Sequence, residues 1–331
     1  MCYLSLSISN FSSKPDKKFM AIYQRNFSAK TEKLNPWYVT GFSDAESSFQ
    51  IHVSPRPANK LGWRVYARFD IYLDIKELSL LYLIQAYFNG IGSIVIDKKR
   101  NKASFNVNKL EDFINQLIPH FNKYPLQSSK QIEYSLWQTC IELMVDKKHL
   151  TKDGLDKILS IKGALNKGLP ENLTIEFPYI VPVEKPAFNQ SSVNEPLNPY
   201  WVTGFSDGDS SFYISHKIKR SSIQATFKIN LHEKEGPLLL RIKSFFGEVG
   251  NINTYAQGNS KCYIITKRSD LTNIIVHHFN KYPLVGNKLS SFNTWSNIIT
   301  LMNSGEHLTP EGLSKIKLLI KRNDIVNEND D

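Results

Sequence analysis

The stretch "NPWYVTGFSDAESSF", Asn35 to Phe49, returns as "NPYWVTGFSDGDSSF", Asn198 to Phe212. Between residues 34–49 and 197–212, twelve of sixteen positions are identical. Each copy opens on Asn-Pro, a capping side chain followed by a proline suited to the first helical turn. This predicts a helix that runs toward the acidic end of the stretch. Along it Gly41 and Ala45 stand four residues apart, as do Gly204 and Gly208 in the second copy. Residues at that spacing share a helix face, and small ones let two backbones approach closely. The recurrence predicts that the two helices pack on each other through Gly41, Ala45, Gly204 and Gly208. Glu46 and Asp209 then fall near the C-terminal ends, where the helix dipole is already negative. Two such ends repel unless divalent cations sit between the carboxylates. Oxygen-only donors, completed by phosphate oxygens and water, favour Mg2+ over zinc. Asp44 and Asp207, two residues earlier, point elsewhere on the helix and read as structural or as supports behind the motif acids.

Working outward, the duplication extends across most of the chain. "HFNKYPL" occurs at His120 and again at His278, an offset of 158 where the helices had 163. The first copy therefore carries five extra residues around "SPRPANKLGW", a length change that one hairpin turn absorbs. Trp137 with Trp295, and "HLT" at His149 and His307, keep the 158 offset. Between the copies lies a segment with prolines at 170, 178, 182, 186 and 196, which predicts an extended, semi-rigid linker. The expected organisation is an N-terminal extension over 1–33, a first domain over 34–168, a linker over 169–196 and a second domain over 197–331.

Each copy reads helix, hairpin, helix, hairpin, then helices. Phe49, Ile51 and Val53 alternate with polar residues, as do Val65, Ala67, Phe69 and Ile71, so each strand has one apolar and one polar face. Glu77 to Phe88 predicts a helix ended by Asn89-Gly90. Second hairpins are expected over 93–107 and 251–266. The fold class is α+β, two αββαββα-type halves with antiparallel sheets.

The 331 residues include 41 Lys and Arg against 31 Asp and Glu, a net charge of +10, which points to a polyanionic partner. Cys2, Cys140 and Cys262 are isolated, which argues against a disulfide scaffold or a zinc ribbon. The greasiest run, Leu78 to Phe88, is too short to span a bilayer, so no membrane partner is expected. Residues 20–31 lack acids and mix basic with apolar residues, the composition of a targeting address or a disordered tail.

"VTGFSDAES" at Val39 to Ser47 and "VTGFSDGDS" at Val202 to Ser210 resemble the nine-residue motif of the LAGLIDADG homing endonucleases. The resemblance covers nearly everything after residue 33. It implies a single-chain, pseudo-symmetric monomer whose two sheets form a saddle over the major groove of double-stranded DNA. It maps the metal-binding acid of each motif onto Glu46 and Asp209. The ninth position, usually glycine, is Ser47 and Ser210, which suggests slight strain at the helix exit. The implied reaction is metal-assisted hydrolysis of one phosphodiester per strand, leaving 3′ cohesive ends, with Mg2+ as cofactor and Ca2+ supporting binding without cleavage.

Basic groups near the scissile phosphates would stabilise the developing charge. Lys130 and Lys288 recur at the 158 offset and are the candidates. The polar strand faces offer Gln50, His52, Arg64, Tyr66, Arg68, Asp70 and Tyr72 in one half. The other half offers Tyr213, Ser215, Lys217, Gln224, Thr226, Lys228 and Asn230 as DNA contacts. His120, His278, His149 and His307 sit among apolar and turn residues and read as structural. Rival readings are an intron RNA maturase on the same fold and a DNA-binding derivative that does not cut. Retention of both acids favours the nuclease. Resemblance to intron-encoded members, with the Asn- and Lys-rich composition, points to a mitochondrion.

Overall fold

In the computed structural model the described residues are 33–188, 196–217, 222–255 and 259–323. The expected N-terminal extension therefore lies almost wholly outside them. Asn35 and Asn198 cap their helices as their sequence context predicts, accepting from the Trp37 and Tyr200 amides at 2.9 Å each. Helix α1 (Pro36–Glu46) passes directly into β1 (Ser47–Pro55), which pairs with β2 (Trp63–Asp74). Next come α2 (Leu78–Tyr87), β3 (Ser93–Asp97) and β4 (Lys102–Val107). The first half closes with α3 (Ile118–Lys123), α4 (Lys130–Val145) and α5 (Lys152–Ala164).

After a short helix α6 (Glu171–Glu176), the pattern repeats as α7 (Pro199–Asp209), β5 (Ser210–Lys217), β6 (Ser222–His232) and α8 (Gly236–Phe245). It then runs through β7 (Asn251–Tyr255), β8 (Ser260–Ile265), α9 (His277–Lys281), α10 (Lys288–Asn303) and α11 (Pro310–Asn323). The sheets are antiparallel, in the orders β1-β2-β4-β3 and β5-β6-β8-β7.

The alternation in β1 and β2 resolves into buried Phe49, Ile51, Val53, Ala67, Phe69 and Ile71. Phe49 lies opposite Phe69 in the register, and their rings are 5.2 Å apart. Trp137 of α4 covers that apolar face, fully buried, with its ring 5.3 Å from Phe49. Trp295 of α10 does the same for Phe212 at 5.1 Å. Truncating either tryptophan to alanine would cost about 3–5 kcal/mol, the usual range for a buried aromatic.

The linker departs from the extended chain its prolines suggest. Leu173 is fully buried, and Phe177 packs its ring 5.1 Å from that of Trp63. The Val183 amide donates to the Ser160 carbonyl at 3.1 Å. Pro170 stands immediately before α6, and Leu173 and Phe177 lie four apart on one side of it. The start of the linker thus belongs to the core of the first half, and the chain still holds to that half as far as Val183. None of the described helices is long and apolar enough to cross a membrane.

Candidate active site and nucleic-acid interface

Helices α1 and α7 meet backbone to backbone. A methyl group on Gly41 would lie 2.1 Å from the Trp201 carbonyl oxygen, and one on Gly204 would lie 2.1 Å from that of Tyr38. One turn further on, a methyl on Gly208 would lie 2.4 Å from the Ala45 Cβ and 3.0 Å from the Glu46 Cγ. The four small residues singled out by spacing thus line one contact. Its reciprocity follows from the duplication, because each glycine leaves room for a carbonyl of the other helix.

This contact brings the C-terminal ends of α1 and α7 together, carrying Glu46 and Asp209, both half-buried. Burial pushes the Asp209 carboxyl up to about 7, and the charge on Glu46 adds to the rise. Burial also raises Glu46, against the opposing pull of Lys288, Lys130 and Lys102. Each carboxylate is held where its charge is costly, beside another of the same sign. Among the described residues no group of three His, Cys, Asp or Glu side chains forms an all-protein cage. The donor set suits a hard divalent cation that keeps water and phosphate oxygens in its shell.

Lys130 and Lys288 reach the same place from the first residues of α4 and α10. The Lys288 Nζ donates to the carbonyls of Ser206 and Gly208 at 2.9 and 2.8 Å. The Lys130 Nζ donates to the Ser47 carbonyl. These acceptors lie at or just beyond the helix ends, where the dipole is negative, and the Ser206 carbonyl is shared with the amide and hydroxyl of Ser210. Burial lowers both lysines, while nearby carboxylates, first Asp44 for Lys130 and Asp207 for Lys288, oppose the shift.

Ser47 and Ser210 correct the expectation of strain at the ninth motif position. Their φ values are −87° and −97°, ordinary extended backbone that needs no glycine. Each hydroxyl donates to the carbonyl four residues back, Ser43 and Ser206, at 2.6 Å. Serine here closes a helix end instead of straining it.

Asp44 and Asp207 are structural, as read, but their partners were not legible in sequence. Asp44 accepts from the Gln127 and Ser128 amides at 2.7 and 3.1 Å, from the Ser128 hydroxyl at 2.5 Å, and from the Trp201 indole at 2.8 Å. Asp207 accepts from the Val285 and Gly286 amides at 2.8 Å each and from the Tyr38 hydroxyl at 2.7 Å. Tyr38 and Trp201 occupy equivalent positions where the two copies differ, so each bonds to the opposite half. Burial, then the Asp207 charge, hold the Tyr38 hydroxyl well above its ordinary pKa.

His120 is likewise a buried structural group. Thr40 gives its hydroxyl proton to the Tyr124 carbonyl at 2.9 Å and so accepts from the His120 Nε2, 3.1 Å away. That assigns the proton to Nε2 and leaves Nδ1 to accept from the Tyr87 hydroxyl at 3.0 Å. Thr203, Tyr282 and His278 repeat the first two contacts.

The polar sheet faces begin directly after the two acids, since β1 starts at Ser47 and β5 at Ser210. Gln50 donates to Asp70 at 2.7 Å and pairs with His52 at 2.9 Å, and the His52 ring stacks on Tyr66 at 4.7 Å. Burial lowers His52, helped by Lys162 and Arg68. Burial raises Asp70 despite Arg68 and Lys130. Arg64 lies 5.0 Å over the Tyr66 ring, Arg68 donates to Asn108 at 3.2 Å, and Tyr72 is exposed. Asn108, off the strands, was not anticipated.

In the second half Lys228 sits 4.7 Å over the Tyr213 ring, and Gln224 and Asn230 are exposed. Ser215 and Thr226 depart from the expected picture, at 4% and 2% exposure. Alternation identifies their side of the sheet but not their depth. Buried to that degree, neither side chain is open to a direct contact. The side chain of Lys217 lies outside the described residues.

The profile of the LAGLIDADG endonucleases matches residues 39–141 and 202–299. A probable intron-encoded endonuclease of Neurospora crassa is 37% identical over 93% of this chain, and a second from that organism is 35% identical over 86%. The chain spans 58% and 64% of the length of these two relatives. Among solved structures, I-SmaMI bound to cleaved DNA aligns with a TM-score of 0.83 at 35% identity, covering 91% of this chain and 99% of that one. Its complex with uncleaved DNA target in the presence of calcium ions gives 0.82 at 36% identity, covering 87% and 98%. I-LtrWI, a LAGLIDADG homing endonuclease bound to target DNA, gives 0.82 at 35%, covering 89% and 98%. With two motif helices packed through their glycines and a carboxylate at the end of each, this chain belongs to the LAGLIDADG endonuclease family.

Proposed function

We propose that the chain is a site-specific DNA endonuclease that makes a double-strand break in a long duplex target and works as a monomer. The observation that carries this reading is the meeting of Glu46 and Asp209 at the ends of α1 and α7. Two like-charged carboxylates are held there with lysines on either side and a strand leaving from each. A structural role alone gives no reason to hold them so. Relatives named as intron-encoded endonucleases, and DNA-bound neighbours of the same fold, support it.

Glu46 and Asp209 would hold divalent cations, Mg2+ for cleavage, with Ca2+ permitting binding alone. Bound cations would supply Lewis acidity at the phosphate and a more acidic water. Lys130 and Lys288 keep the helix ends in register and place positive charge where the phosphate gains negative charge. On the sheets, Arg64, Arg68, Gln224, Lys228 and Asn230 are the candidates for base edges and phosphates. Gln50 donates to Asp70 on the neighbouring strand, which fixes both side chains on the sheet. Intron-encoded relatives, two of them from ND4 and cox1 introns, support a mitochondrial setting.

The test is selection from randomised duplexes in Mg2+ and in Ca2+, sequencing what is cut and what is bound. One long site cut in Mg2+ to 3′ cohesive ends, and only bound in Ca2+, is expected. Binding without cutting in both metals would refute the nuclease in favour of a DNA-binding derivative. Selection of no duplex, with retention of intron RNA, would instead support a maturase.

A further inference from the structure

The helices that carry Lys130 and Lys288 are each held at their N-terminus by carboxylates from both halves of the molecule. Ahead of α4, Asp44 takes the amides of Gln127 and Ser128. The next amide, that of Ser129, donates at 3.1 Å to Glu235 of the second half, which also accepts from the Ser129 hydroxyl. Ahead of α10, Asp207 takes the amides of Val285 and Gly286. The next amide, that of Asn287, donates at 3.0 Å to Glu77 of the first half, and the Asn287 side chain donates to the Lys76 carbonyl. Glu77 and Glu235 are 158 residues apart, the offset that also relates Ser129 to Asn287 and Lys130 to Lys288.

Amides at the start of a helix have no intrahelical acceptor, and a carboxylate there makes short, charge-assisted bonds. In each half the own-half aspartate satisfies two of them and leaves the third to the opposite half. The residue immediately after that third amide is the lysine. Glu235 also lines a cavity of about 150 Å³ shared with Lys130 and Asp209. Both its oxygens are engaged by Ser129, so it anchors the helix instead of joining the motif acids as a ligand.

We infer that Glu77 and Glu235 are positioning residues that act across the molecule, Glu235 setting Lys130 and Glu77 setting Lys288. The inference rests on the reading that these lysines serve phosphodiester cleavage. Each glutamate is anchored at a β-strand-to-helix junction, in the 3-10 turns Ile75–Glu77 and Glu233–Glu235. A shift of one half against the other therefore moves the lysine of the partner half. The arrangement would make cutting depend on correct assembly of both halves on one target.

The experiment uses the full chain and a target duplex labelled with a different dye on each strand. Single-turnover rates for the two strands are measured at saturating protein. Glu77→Ala and Glu235→Ala are compared with Lys288→Met and Lys130→Met; where an alanine variant does not melt cooperatively, the glutamine variant replaces it. Glu235→Ala is expected to slow the same strand as Lys130→Met, roughly tenfold or more, as a small misplacement of a reacting group does. Glu77→Ala should slow the opposite strand together with Lys288→Met. Equal slowing of both strands, or unchanged rates on both, would overturn the inference while leaving the lysine reading intact. Lysine variants that slow neither strand would overturn the lysine reading itself.

Discussion

Replacing Gly41 with alanine would drive a methyl group into the backbone of the opposing helix. The new carbon would stand 2.1 Å from the Trp201 carbonyl oxygen and 2.9 Å from the Phe205 amide nitrogen. A tolerable carbon–oxygen contact is about 3.3 Å, so α1 and α7 must part by roughly 1.2 Å at this point. The obstructing atoms are backbone, which no rotamer change can move aside. Overpacking of this kind costs about 3 kcal/mol or more, the upper end of the usual range. The same separation would spread the ends that carry Glu46 and Asp209, and a displacement of that size is expected to slow cleavage about 100-fold. Urea unfolding gives the first quantity and single-turnover cleavage at saturating protein the second. A Gly41→Ala protein that is as stable as the parent and cuts at its rate would refute the close packing of α1 on α7.

Ser43 and Ser206 are fully buried, and their hydroxyls have no hydrogen-bond partner among the described residues. Ser43→Ala and Ser206→Ala should each stabilise the protein by about 1 kcal/mol in urea unfolding, since an unmet buried hydroxyl is a net cost; a loss of similar size would contradict this. Burial lowers His120 to about 3 and His278 to about 4, from 6.5, with His277 adding to the latter. Below pH 6.5 the unfolded chain binds protons that the folded chain refuses, so their contribution is full above 6.5 and is lost as pH falls to about 4 for His278 and about 3 for His120. Each histidine adds a slope of about 1.4 kcal/mol per pH unit in that window. His120→Gln should flatten the dependence between pH 6 and 4 by that amount, and an unchanged slope would show that His120 titrates normally in the folded protein.

The arrangement of the site was legible wherever it depends on chain geometry that a repeat makes visible. Asn35 and Asn198 cap as their context predicts, and the four-residue spacing of Gly41 with Ala45 and Gly204 with Gly208 identified the helix contact. The second hairpins fall where they were expected, with strands from Ser93 to Val107 and from Asn251 to Ile265. What escaped was set by partners far apart in sequence. Nothing near Asp44 indicates Trp201, and nothing near Asp207 indicates Tyr38, because those bonds depend on how the halves dock. Glu77 and Glu235 escaped for the same reason. They look like ordinary helix-start acids until the opposite half is in place. The burial of Ser215 and Thr226 was not legible because a period of two assigns a side of the sheet and says nothing about cover. The serine at the ninth motif position needed its hydroxyl contact before its purpose was evident.

We propose that Glu46 and Asp209 carry out cleavage and are not needed to recognise the target. The direct measurement is to assay Glu46→Gln and Asp209→Asn proteins on the selected duplex, scoring both strand cleavage in Mg2+ and binding in Ca2+. Both changes remove charge from half-buried carboxylates that repel each other, so folding should be preserved or improved. The account predicts that double-strand cleavage is abolished in each variant while specific binding stays close to that of the parent. A variant that still cuts both strands at the parental rate would contradict it.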